Sequence, residues 1–74
     1  MELTAELRQQ LLKFQRTEIT EYHIYNRLAQ SIRSPQNQQV LKQIADEELK
    51  HYETFKSYTR QDVEPDRLRV NFYY

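Results

Sequence analysis

The 74-residue sequence predicts an all-α fold, an antiparallel two-helix hairpin that dimerises into a four-helix bundle. Three observations predict it. Inward-looking residues recur in alternating steps of four and three on both sides of Pro35, the period of one helical face. Ser34-Pro35 stands between the two runs and leaves room only for a tight connection. Hydrophobic content is 38%, which suits partial disorder or a core completed by a partner; the sustained periodicity selects the partner.

The first run is Leu7, Leu11, Phe14, Glu18, Glu21, Tyr25, Leu28 and Ile32. Thr4 serves as N-cap and Glu6 suits the first turn, so a helix is expected over 5–33. At ~1.5 Å per residue it would be roughly 43 Å long, a bundle helix rather than one a small monomer can cover. The second run is Asn37, Leu41, Ile44, Glu48, His51, Phe55 and Tyr58. Ser34 as N-cap and Pro35 at the first helical position start this helix, which is expected to reach Thr59. So short a link makes the pair antiparallel. Residues 1–59 therefore form the hairpin. From Arg60 the helical period is lost, and Leu68, Val70 and Phe72 alternate at period two. Residues 60–74 are expected to be an extended tail packed on the bundle or on a neighbour; the alternative is a chain that continues past Tyr74 into a further element.

Composition excludes several classes. Cysteine is absent, so no disulfide framework exists and a reducing, cytoplasmic setting is expected. The N-terminal stretch is polar, unlike a signal peptide. Eleven basic residues balance eleven acidic ones, which gives no electrostatic case for nucleic acid.

Four polar residues interrupt the inner faces: Glu18 and Glu21 on the first helix, Glu48 and His51 on the second. Glu18 lies about 16 residues before the turn and His51 about 16 after it; Glu21 and Glu48 are each about 13 away. An antiparallel pairing puts all four at one level. Without compensation such a layer is unfavourable, because each buried ion costs several kcal/mol and like charges raise one another's pKa. Metal ions remove that cost, and carboxylates with an imidazole suit Fe, Mn or Zn. The Glu48-x-x-His51 spacing sets both on one face, one turn apart. Carboxylate-bridged di-metal bundles take a Glu from each of two helices and a Glu-x-x-His from each of the other two. Glu18, Glu48 and His51 are half of that set, and a two-fold related chain would complete it. Glu21 is an additional candidate ligand, as a bridging or entry carboxylate. Glu47 borders the face and could exchange with Glu48 if the helix were rotated.

Glu18 followed seven residues on by Tyr25, with "SPQNQQVLKQIADEELKH" ending in Glu48-x-x-His51, resembles the ferritin-like superfamily. The pattern resembles in particular the rubrerythrin branch and the two-helix encapsulated ferritins, over roughly residues 10–58. The resemblance implies a ferritin-like bundle with a di-iron site held by Glu18, Glu48 and His51, and Tyr25 beside it. It implies oxidation of Fe(II), a ferroxidase activity serving iron storage, detoxification or transport. It also implies partners, namely a second copy of the chain and either an encapsulin shell or a membrane iron transporter of the vacuolar type. The second helix pair of a rubrerythrin and its cysteine-ligated module are absent from these residues.

Plainer readings stand beside these. Glu-x-x-His alone is a weak motif, and a polar layer can fix register in a helical dimer that carries no metal. A redox-inactive Zn or Mn site is a third reading. His23 falls off the inner face and reads as a solvated histidine. Tyr22, Tyr52 and Tyr58 read as packing residues.

Overall fold

Thr4 and Ser34 open the two long helices in the same way. Each side-chain oxygen accepts the backbone N–H three residues on, that of Leu7 at 3.1 Å and that of Asn37 at 3.3 Å. These caps satisfy donors that the first turn leaves unpaired. The computed structural model describes residues 2–72. α1 spans Ala5–Ser31, α2 spans Pro35–Thr59, and a short α3 spans Arg67–Phe72. α1 stops two residues short of the expected end, because Ile32 is already extended. Its carbonyl accepts from Gln38 Nε2 at 2.6 Å, so α2 closes the open end of α1.

α1 and α2 pack antiparallel along their length, as the short link requires. The molecule measures 46 × 23 × 13 Å. A thickness of 13 Å is about that of one helix with its side chains. The hairpin is therefore a single layer, whereas stable domains usually have two.

The interhelical stripe differs from the expected one. Burial along it falls on Gln15 and Ala29 in α1 and on Ala45, Tyr52 and Thr59 in α2, while Thr20 and Ile24 of α1 are buried off this stripe. The stripe thus runs through 15, 18, 22, 25 and 29, and through 38, 41, 45, 48, 52, 55 and 59. Positions 18 and 25 in α1 and 41, 48 and 55 in α2 belong to both stripes, so period alone could not separate them. The rest of the expected inner face is rotated onto a flank. Phe14 is 49% exposed and Tyr58 is 50% exposed, and Leu7 is exposed as well.

The tail crosses the other flank. Arg60 takes the left-handed conformation at φ 56°, and its N–H bonds Lys56 O at 2.7 Å to end α2. The chain then folds back through polar contacts. Gln15 Nε2 donates to Gln61 O at 2.8 Å, and Thr59 Oγ1 donates to Gln15 Oε1. Tyr52 OH accepts from Val63 N–H at 3.0 Å and donates to Asp62 Oδ1 at 3.3 Å. Thr20 Oγ1 accepts from Asp66 N–H at 2.9 Å. Asp66 then caps α3 by accepting from Arg69 N–H at 3.2 Å, and Val70 buries against the hairpin. The extended tail expected over 60–74 is thus corrected for 67–72, which are helical. The Asp66 cap and α1 contacts outweigh the period-two pattern of Leu68, Val70 and Phe72. Tyr73 and Tyr74 lie outside the described residues. Among the described residues, no helix is long and apolar enough to cross a membrane.

Candidate metal centre

Each ligand candidate is placed by the helix register. Glu18 sits midway along α1, and Glu48 and His51 sit one turn apart on α2. His51 Nδ1 lies 3.1 Å from Glu18 Oε2 and 3.9 Å from Glu48 Oε1. The turn at Ser34-Pro35 therefore sets Glu18 level with His51, as equal distances from the turn require. One ligand atom from each of the three lies within 4.8 Å of the other two. Metal–ligand bonds of about 2.1 Å put adjacent donor atoms about 3 Å apart. Small side-chain rotations therefore suffice for all three to meet one ion, and two carboxylates with an imidazole are an apt donor set for Fe, Mn or Zn.

The carboxylates repel. Glu48 is held above the ordinary carboxylate value, first by a carboxyl–carboxyl hydrogen bond with Glu18 and then by burial. Glu21 is also raised, chiefly by burial and then by its contact with Glu48. Glu18 and Glu48 side chains are only 18% and 15% exposed, whereas that of His51 is 58% exposed. The cluster is thus walled on the hairpin side and open on the flank. The Phe14 and Phe55 rings meet at 5.7 Å, tilted by 38°, and supply apolar surface beside the opening, one turn farther from the Ser34-Pro35 link.

The remaining candidates are less central. Glu21 touches Glu48 but stands outside the three-residue group. Glu47 is exposed on α2 and does not join it. Tyr25 is half-buried two turns from Glu18, and no hydrogen bond between described residues links it to the cluster. His23 is half-buried rather than solvated. Its ring meets Tyr22 edge-on at 5.1 Å, and its pKa is lowered by burial and then by Arg67 and Arg27. Gln15, Thr20 and Thr59 were not legible as buried residues. Gln15 and Thr59 fall on a seven-residue spacing displaced by one from the apolar run, Thr20 falls on neither, and each is polar.

Comparison with family models, with curated proteins and with solved structures found no match to this chain.

Proposed function

We propose that two hairpins pair through the flank bearing Leu7, Phe14 and Tyr58, forming a ferritin-like four-helix bundle. Glu18, Glu48 and His51 of both chains would then hold a di-iron centre at the subunit interface. The observation that carries this reading is the convergence of three donors from two helices within 4.8 Å, on a face the hairpin itself leaves open. The single-layer shape supports pairing, since exposed Phe14 and Tyr58 need a second layer to cover them. Charge supports the metal count: four carboxylates from Glu18 and Glu48 of two chains balance two divalent cations.

Ferrous iron is the substrate in this reading and dioxygen the electron acceptor. The carboxylates of Glu18 and Glu48 favour the harder Fe(III) product, which draws the oxidation forward. His51, the most exposed of the three, would be the first to meet incoming iron. Glu21 would relay a cation toward Glu48. Pairing would shield the site from bulk water and strengthen each electrostatic contact. A cytoplasmic setting belongs to the same proposal.

The test combines mass, metal content and oxygen uptake. Purified protein is expected to run as a dimer, to bind about one iron per chain as half of a two-metal site, and to consume oxygen when Fe(II) is added. Glu48→Ala should lose all iron-dependent oxygen uptake. A monomer that binds no metal at stoichiometric supply would overturn the reading. A second reading rests on one feature: three protein ligands from a single chain are the complement of a four-coordinate Zn site with one open position. Metal bound by a monomer without oxygen uptake would favour it.

A further inference from the structure

On the opposite side of α1 from the carboxylate cluster, Lys13, Arg16 and Arg69 line a cavity of about 240 Å³ between α1 and α3. Thr17, Thr20 and Asp66 complete its wall. None of the three cations joins an ion pair among the described residues. Arg69 exerts only a minor pull on Glu21. Asp66 is the one acidic side chain in the wall, and its Oδ1 accepts the Arg69 amide to start α3. Three cations against one carboxylate is a local excess in a chain whose formal charge is zero.

That excess is created by the fold. The bond from Asp66 N–H to Thr20 Oγ1 docks α3 and brings Arg69 toward Lys13 and Arg16. Like charges gathered this way oppose docking unless an anion meets them. Lys13 and Arg16 are three apart on one helical face, and Arg69 approaches from a second helix. Donors arriving from different directions suit a tetrahedral anion with several oxygens better than a planar carboxylate with two. Guanidinium groups match phosphate oxygens in pairs, and lysine serves as a point charge.

We propose that this cavity binds a phosphate group, clamped between α1 and α3 by Lys13, Arg16 and Arg69. The cavity opens to solvent, so the group can be free phosphate or the head of a phosphate monoester. Binding fastens the tail to the hairpin, because the anion contacts both. It uses no residue of the carboxylate cluster and does not depend on the metal reading.

The experiment uses the full chain with a chelator present, so that phosphate cannot report through bound metal. Inorganic phosphate and glycerol phosphate are titrated separately at constant ionic strength, with chloride as the control. Binding is read by calorimetry, and tail docking by amide hydrogen exchange over 66–72. Saturable binding with slower exchange is expected. Arg16→Gln and Arg69→Gln should each weaken it by about tenfold or more, the loss of a charge-assisted hydrogen bond. Glu48→Ala should leave it unchanged. Tighter binding of glycerol phosphate assigns a phosphate-ester source, tighter binding of inorganic phosphate assigns the free ion, and equal binding shows a site for the phosphate group itself. Stabilisation matched by chloride, or binding retained in both arginine variants, would overturn the site. Circular dichroism of each variant checks that the hairpin is still folded.

Discussion

His51 Nδ1 lies 3.1 Å from Glu18 Oε2, across 33 residues of chain. Only an antiparallel pairing with a tight turn at Ser34-Pro35 brings these two together. The contact joins an exposed imidazole to a largely buried carboxylate that also meets Glu48. Its consequences can be measured with and without metal.

Replacing Glu48 by Gln should separate stability from metal binding. Without metal, the variant loses a repelling carboxylate and gains an amide donor for Glu18. Its melting temperature at neutral pH should rise by a few degrees, on the order of 1 kcal/mol in a domain of this size. Iron binding should fall sharply in the same protein. A variant less stable than wild type in chelator would contradict the repulsion described here.

The pH dependence of the metal-free protein follows from the same groups. Glu21 and Glu48 have folded-state pKa values raised above their unfolded ones. Their contribution is fully present below the ordinary carboxylate range and is lost as pH rises through the raised values. Thermal melts in chelator should therefore show stability falling across that window. The slope should flatten in a Glu21→Gln, Glu48→Gln double variant.

His23 gives the opposite sign. Burial, with Arg67 and Arg27 nearby, lowers its pKa in the folded state, while Glu64 opposes this weakly. The unfolded chain thus takes up a proton first. Stability is full above the ordinary histidine value and declines as pH falls from there toward the lowered one. His23→Gln should remove this decline. Because Arg67 lies on α3, amide protection over 67–72, taken relative to the intrinsic exchange rate at each pH, should fall in wild type at the acid end of that window and stay constant in the variant.

The tail can be loosened without touching the hairpin. Tyr52→Phe removes the acceptor for Val63 N–H and the donor to Asp62. Leaving a part-buried amide unpaired should cost about 1–3 kcal/mol. Exchange at the Val63 amide should accelerate strongly while helicity of α1 and α2 is kept. Unchanged exchange would show that the tail is held elsewhere.

Phe14 tests the pairing face. It is half-exposed beside Phe55 and lies one turn from Glu18. Phe14→Glu should weaken self-association by about 30-fold or more, as expected of a central aromatic anchor. Sedimentation over a concentration series reads the change. Wild type that sediments as a monomer at all concentrations would remove this face as a pairing surface.

Much of this molecule was legible in its sequence. Thr4, Ser34 and Pro35 are local signals, because a cap or a proline ring acts within one turn, and they set the helix starts. Ser34-Pro35 also set the register that makes Glu18 level with His51. Tertiary structure decided which line of each helix is buried. Positions 18 and 25, with 41, 48 and 55, belong to two adjacent stripes, and periodicity resolves a helical face only to about one residue. It also decided the course of the tail, whose anchors are side-chain-to-backbone bonds from Gln15, Thr20 and Tyr52. Such bonds join residues up to 46 apart and leave no periodic trace. The grouping of Lys13 and Arg16 with Arg69 arises in the same way. Charge balance is a property of composition, but its segregation onto opposite sides of α1 exists only once the chain has folded.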